Sequence, residues 1–167
     1  MGIGRFAGLG AASGLVTGLV LLAIAGGRLS DWLYVVPGAV FGVVFAVMVW
    51  RAAWLRAAGF AVASLAANAA AVFVALRSFE AVGSVVGQEF FATVVVGLEG
   101  GILGAGLLAG ACAGLFGMRG VVWPVAAGGV AGLLLPLLVY GDMAGLVGFY
   151  VVWQGVFAAG LGKARLA

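Results

Sequence analysis

The chain has 167 residues, of which 66% are apolar and 8% are charged, and its formal net charge is +3. This composition lies outside the range of soluble globular proteins and is typical of a protein embedded in a bilayer. The sequence has no histidine and a single cysteine, Cys112, which argues against histidine-ligated haem, the usual zinc sites, thiol–disulfide relays and Ser-His-Asp chemistry. We therefore expect no cofactor, no bound metal and no enzymatic activity.

Lipid offers no hydrogen-bond partners to the backbone, so a chain that crosses it must form helices or a closed barrel. Continuous apolar runs of about 20 residues, rather than alternating patterns, favour helices that cross a hydrocarbon core of roughly 30 Å. The charged residues divide the chain into six such runs, at approximately 6–26, 33–50, 57–76, 90–117, 121–140 and 143–162. The predicted fold is therefore all-α, a single domain of six transmembrane helices over residues 1–167.

The first predicted span carries Gly10, Gly14 and Gly18, which we call the first ladder. Glycines at four-residue intervals remove side chains from one helix face and let another helix approach closely. Thr17 lies about eleven residues into this span, near the middle of the bilayer. Arg5 precedes the span as in a signal peptide, but the apolar run is longer than is usual for one, and we interpret it as a transmembrane helix.

The second and third predicted spans are followed by the longest connection. Pro37 falls in the first turn of the second span, where its missing N–H is harmless. Asn68 lies about eleven residues into the third span. The connection at 77–91 is semi-apolar, and it fits either a short helix at the outer surface or a partly re-entrant segment.

The fourth predicted span contains an acidic residue. Glu99 lies about nine residues, or roughly 14 Å, into an apolar run, where an ionised carboxylate is costly. We expect its carboxyl group to be protonated, or paired with a cation or with hydrogen-bond donors. The same span carries Gly106, Gly110 and Gly114, which we call the second ladder.

The last two predicted spans contain two prolines and one more polar residue, Gln154. Pro124 falls in the first turn of the fifth span, and Pro136, deep inside it, predicts a kink. Gln154 lies about ten residues into the sixth span. Asn68, Gln154 and Thr17 therefore reach a depth similar to that of Glu99, and we predict that these four residues form an ion- or ligand-binding site.

The basic residues predict the orientation. Six of them precede or follow spans on the side of the N-terminus and two lie on the other side; the first group is Arg5, Arg51, Arg56, Arg119, Lys163 and Arg165, and the second is Arg28 and Arg77. By the positive-inside rule both termini are cytoplasmic, which places the protein in a bacterial-type inner membrane. Because these residues are scattered and form no cluster, we expect no nucleic acid partner.

The glycine spacing also suggests an internal repeat. Gly38/Gly42 and Gly128/Gly132 repeat the four-residue interval in the second and fifth spans, as the two ladders do in the first and fourth. Two sets of three spans would be inverted in the membrane, an arrangement that recurs in transporters. No gapless register aligns all these features, so the 3+3 inverted repeat stays a hypothesis.

Two functions follow from these patterns. The first is a small transporter or channel for a cation or a proton-coupled solute, with Glu99 as its titratable centre and Asn68 and Gln154 as its polar lining. The second is a non-catalytic subunit that packs against other membrane subunits, or against a second copy, through its glycine-rich helix faces. Ladders used inside the chain around a polar cavity would favour the first, and a ladder exposed to lipid would favour the second.

Overall fold

The computed structural model describes residues 2–24, 32–49 and 53–166, and the regular structure in these ranges is helical. In chain order the helices are α1 (Ile3–Ile24), α2 (Val36–Met48), α3 (Trp54–Val86), α4 (Glu89–Phe116), α5 (Val122–Gly132), α6 (Leu135–Val139) and α7 (Met143–Leu166). Among them, α1, α3, α4 and α7 are long and apolar enough to cross a bilayer, which indicates a membrane protein. Arg28 and Arg51, two of the basic residues that predict the orientation, lie outside the described residues.

Short local signals set several helix ends. Gly87 and Gly117 have φ angles of +72° and +65°, a left-handed conformation that glycine adopts without strain, and they end α3 and α4. At the start of α7, Asp142 Oδ1 accepts hydrogen bonds from the backbone N–H groups of Ala144 and Gly145, at 2.9 and 3.0 Å. This carboxylate satisfies N–H groups that have no partner within the helix.

Helix α3 is longer than the sequence predicted. The span predicted at 57–76 is part of a continuous helix of 33 residues, and the connection predicted from residue 77 continues that helix to Val86. At 1.5 Å per residue α3 is roughly 50 Å long, about 20 Å more than a hydrocarbon core. Residues 77–82 contain no glycine or proline that would end the helix. Within the helix, the guanidinium of Arg77 lies 5.3 Å from the ring centre of Phe73, one turn earlier.

The interruption predicted at Pro136 is confirmed. Helix α5 ends at Gly132, and α6 begins at Leu135 with Pro136 as its second residue. Proline has no N–H to donate to the carbonyl of Gly132, so the helix cannot run straight through. The N–H groups of Leu133 and Leu134 bond instead to the carbonyls of Val130 and Ala131, at 3.2 and 3.1 Å, so the backbone stays paired across the break.

The helices form a ring in chain order. Each helix from α1 to α4 packs against the next helix in the chain, and α5 packs against α7. Helix α7 then lies along α1 in the most extensive contact of the chain and closes the ring. At this contact the glycines of the first ladder face the backbone of Gln154, Tyr150 and Val147, where a methyl group could not fit.

The second ladder does not take part in the ring. A methyl group added at Gly106, Gly110 or Gly114 would meet no described atom within 4 Å. Helix α4 instead packs on α5 through Gly97 and Gly101, which face Gly132 and Gly128. Gly97 and Gly106 are nine residues apart, about two and a half helical turns, and they therefore lie on opposite sides of α4.

Phenylalanine rings fill one end of the ring's interior, where α1 and α3 begin. This phenylalanine cluster consists of Phe6, Phe41, Phe45, Phe60 and Phe157, all of them buried. The ring centres of Phe41 and Phe45 are 4.3 Å apart, and those of Phe41 and Phe157 are 5.6 Å apart. The interior is therefore closed at this end, and open space lies toward the other end, where α3 ends and α4 begins.

Candidate functional site

The side chain of Gln154 joins three helices. Its Nε2 donates to Thr17 Oγ1 at 3.1 Å and lies 3.4 Å from the carbonyl oxygen of Pro37. Its Oε1 lies 2.5 Å from the hydroxyl of Ser13, which is also 2.9 Å from the carbonyl of Gly10. Gln154, Thr17 and Ser13 are all buried. The amide is thus satisfied by α1 and α2, and it holds α7 where the first ladder brings the backbones together.

Asn68 holds the start of α2. Its Nδ2 donates to the carbonyl oxygens of Leu33 and Tyr34, at 2.8 and 2.9 Å. Leu33 would bond to the N–H of residue 37 if the helix began earlier, but that residue is a proline and has no N–H. The amide of Asn68 replaces the missing donor, and Ser64, one turn earlier, donates to the carbonyl of Gly38 at 2.9 Å.

Glu99 lies on the outside of the ring. Its side chain is exposed, and two of the glycines that pack α4 into the ring, Gly97 and Gly101, are buried on the opposite side. No hydrogen bond or ion pair joins its carboxyl group to another of the described residues. The carboxylate therefore points toward the lipid at a depth of about 15 Å from the start of α4.

The four predicted site residues do not form one site. Thr17 and Gln154 are hydrogen-bonded to each other, Asn68 binds the backbone before α2, and Glu99 faces outward. The predicted site did not include Ser13, although Ser13 lies one turn before Thr17 on the same helix face. The partners of Asn68 could not be predicted either, because every residue has a backbone carbonyl and the sequence does not indicate which of them a side chain will bond.

Asn68 also borders an open space inside the ring. A cavity of about 190 Å³ lies between α3, α4, α6 and α7 toward the end where α3 meets α4. We call it the lumen cavity. Its lining includes Asn68, Thr93 and Tyr150, and it does not include Glu99 or Gln154.

Comparison with known proteins identified no relative. No protein-family description, no curated protein and no solved structure matches the chain.

Proposed function

We propose that this protein is a non-catalytic membrane subunit that docks on a partner membrane protein through the outward side of α4. The observation that supports the proposal is the coincidence of an exposed carboxyl group and an unused glycine ladder on one helix face. Glu99, Ile102, Gly106, Gly110 and Gly114 lie within roughly 120° of the circumference of α4. We call these five residues the α4 outer face.

The position of Glu99 is unfavourable in an isolated chain. An acidic side chain near the centre of a transmembrane helix costs about 3 kcal/mol on insertion scales when it faces lipid. Protonation reduces this cost but leaves a hydroxyl donor and a carbonyl acceptor without partners. A partner helix that offers a hydrogen-bond donor or a cation at this depth would remove the cost.

The second ladder provides the room for such a helix. Space beside Gly106, Gly110 and Gly114 is open, so a partner backbone can approach α4 closely and gain van der Waals contact along three turns. The first ladder makes a contact of this kind inside the chain with α7. The partner we infer is therefore a transmembrane helix with small residues on one face and a donor side chain opposite Glu99.

A second copy of this chain fits the same face less well. The α4 outer face carries one carboxyl group and no lysine, arginine, asparagine or glutamine. Two copies packed face to face would bring two carboxyl groups together without a cation between them, so at least one of the two would have to stay protonated. The face therefore favours a different protein as partner.

The proposal includes six membrane crossings with both termini in the cytoplasm of a bacterial-type inner membrane. Helix α2, with 13 residues, and the interrupted pair α5 and α6 would supply the two crossings beyond the four long helices. It does not include the 3+3 inverted repeat. In an inverted repeat, a two-fold axis in the membrane plane relates the two halves of the chain. Seen from one side of the membrane, the helices of one half then follow one another clockwise and those of the other half follow one another anticlockwise. In this ring the helices follow one another in the same direction from α1 to α7.

Photo-crosslinking tests the docking face. A benzophenone amino acid is placed at Ile102, which is 45% exposed on the α4 outer face, or at Val152, which is 41% exposed on α7. We expect ultraviolet light in native membranes to join position 102, but not position 152, to one membrane protein of defined mass. The adduct at position 102 should be lost with Gly110→Leu and reduced with Glu99→Gln, because the first fills the groove and the second removes the charge.

The matched control is Gly8→Leu. Gly8 is also exposed with no atom within 4 Å of an added methyl group, but it lies on α1 away from the α4 outer face. Its variant should give the full adduct. Adducts with lipid alone at both positions, or an adduct that survives Gly110→Leu, would contradict the proposal.

The depth of Glu99 supports a second candidate function, proton- or cation-coupled transport with this residue as the titratable group. In this case Glu99 would act from the outside of the ring, separately from Asn68 and Gln154. A hydrophobic carbodiimide reacts with protonated carboxyl groups in apolar surroundings, so it reports on this site directly. Mass spectrometry of the purified protein should then find Glu99 modified at low pH and protected by a particular cation.

Glu89 is the internal control for this measurement. It is exposed at the first residue of α4, outside the apolar run, and should stay largely unmodified. Modification of Glu99 that changes neither with pH nor with any added cation would exclude the transport role and leave the docking proposal standing.

A further inference from the structure

The lumen cavity has the dimensions of a ligand site. Its volume is about 190 Å³, and its walls come from α3, α4, α6 and α7, with Val72, Ala75, Val96, Gly100, Leu138 and Phe149 among the lining residues. Small residues on α3 and α4 keep it open, because Gly100 and Ala75 carry little or no side chain where longer ones would meet. Apolar walls with a few polar groups are typical of small-molecule sites.

The walls exclude charged ligands. No aspartate, glutamate, lysine or arginine lines the cavity among the described residues. A carboxylate or ammonium group placed there would lose its hydration without gaining a counter-ion, which is strongly unfavourable. The ligand that fits is therefore neutral.

The lining also carries polar groups that can meet a ligand, among them the side chains of Asn68 and Tyr150. Both hydrogens of the Asn68 amide are used on the carbonyls of Leu33 and Tyr34, so its Oδ1 remains as an acceptor. Tyr150 is 5% exposed, and its hydroxyl has no hydrogen-bond partner among the described residues. No side-chain polar atom in these ranges is both buried and unpartnered, so the hydroxyl oxygen retains some accessible surface, and Tyr150 is one of the residues that line the cavity.

We propose that the lumen cavity binds a small, neutral, largely apolar molecule that carries one hydrogen-bonding group, such as a hydroxyl or a ring N–H. In another protein, an engineered apolar cavity of roughly 150 Å³ stays dry and binds benzene. The lumen cavity therefore suits a ligand on the order of ten non-hydrogen atoms. The apolar part lies against Val96 and Phe149, and the polar group meets the hydroxyl of Tyr150. This site does not depend on the docking of α4.

The ligand enters and leaves by the same end. A second space of about 30 Å³ lies beyond Asn68 and Trp153, bordered by Phe41 and Phe157, and the phenylalanine cluster closes the interior after it. The lumen cavity is therefore a binding pocket with a closed floor rather than a continuous pore.

Photolabelling of the full-length protein in nanodiscs tests this site. The probe is a phenyl diazirine with a phenol hydroxyl, and its analogue lacks the hydroxyl. We expect the phenol probe to attach to α3, α4 or α7 at lining residues such as Val96, and unlabelled phenol in excess to suppress this attachment. Labelling of residues that face lipid should not be suppressed, because partition into lipid does not saturate.

Variants assign the labelling to the cavity. Val72→Phe and Ala75→Leu each place extra atoms in the cavity and should abolish the suppressible labelling, whereas Val62→Phe, at a position on α3 that is 68% exposed, should leave it unchanged. Tyr150→Phe should weaken binding of the phenol probe roughly five-fold, because it removes one hydrogen bond. Binding of the analogue without the hydroxyl should not change.

Three results would overturn the proposal. They are the absence of any suppressible labelling in the wild-type protein, suppressible labelling that persists in both cavity-filling variants, and equal binding of the two probes in the wild-type protein. None of these results bears on the cross-link at Ile102, so failure of this site and failure of the docking proposal are distinguished.

Discussion

At the scale of single residues, the amide side chains of Asn68 and Gln154 stabilise the fold in different ways. Asn68 donates to two backbone carbonyls that precede α2, and one of them, that of Leu33, lacks its helical donor because residue 37 is proline. Gln154 bonds mainly to the hydroxyls of Ser13 and Thr17, and hydroxyls can rotate to carbonyls of their own helix. Loss of the asparagine amide therefore leaves acceptors that nothing else reaches, whereas loss of the glutamine amide does not.

We expect Asn68→Leu to destabilise the folded protein more than Gln154→Leu. The first variant leaves carbonyls without a donor, a loss of about 2 kcal/mol, while inter-helix hydrogen bonds such as those of Gln154 are worth roughly 0.6 kcal/mol on average. The free energy of unfolding in mixed micelles of increasing sodium dodecyl sulfate measures both.

Gln88→Leu is the control for these two variants. Gln88 is exposed before α4 and makes no capping hydrogen bond, so its replacement should be neutral. A greater destabilisation by Gln154→Leu would contradict the role of Asn68 as the donor that replaces the missing N–H of Pro37.

At the scale of helices, the two ladders have the same sequence pattern and opposite surroundings. Gly14 faces the backbone of Tyr150 and Val151 without room for a methyl group, whereas Gly110 faces open space. In lipid, close approach of backbones is a main source of attraction between helices. The first ladder therefore stabilises the fold of the chain, and the second is available to another molecule.

Gly14→Ala and Gly110→Ala should act in opposite directions. The methyl group at position 14 forces α1 and α7 apart and should destabilise the protein by about 2 kcal/mol, a usual cost of overpacking. Alanine at position 110 meets nothing and should stabilise α4 by roughly 0.5 to 1 kcal/mol, because glycine is the poorer helix former.

The same detergent unfolding experiment measures both alanine variants, with Gly8→Ala as a second open position. A destabilisation by Gly110→Ala in the purified single chain would mean that the second ladder is already used within the fold.

At the scale of the whole molecule, the two ends of the ring differ, because α1 and α3 begin at one end, whereas α3 ends and α4 begins at the other. Helix α3 exceeds the thickness of the hydrocarbon core by about 20 Å. Because the charged residues Arg77 and Glu80 lie toward its C-terminal end, we expect its last turns to extend beyond the membrane. In the proposed orientation they extend on the outer side, opposite the start of α5. The two ends can therefore be distinguished chemically.

Cysteine labelling tests this orientation. Cys112 is buried and is replaced by alanine, and new cysteines are introduced by Ser84→Cys in the last turns of α3 and by Val121→Cys before α5, both at exposed positions. A maleimide that does not cross membranes should label position 84 in intact cells and position 121 only after permeabilisation. The reverse pattern would invert the orientation inferred from the basic residues.

Much of the fold could be predicted from local features of the sequence. Apolar runs between charged residues predicted apolar helices, Pro136 predicted the break between α5 and α6, and the spacing of Gly10, Gly14 and Gly18 predicted a closely packed face. These predictions hold because partition into lipid, helix breaking and the absence of a side chain depend on neighbouring residues alone. The end of α3 was missed because mixed, semi-apolar residues do not distinguish a helix from a loop.

The directions in which helix faces point depended on the tertiary structure. In a soluble helix the polar side identifies the surface, but α4 is apolar nearly all round, so its sequence does not fix its rotation about its own axis. Packing decided it: Gly97 and Gly101 fit against α5, and this contact turned Glu99 and the second ladder outward. The sequence by itself determined that the chain is a helical membrane protein, and the contacts between its helices decided which polar groups meet.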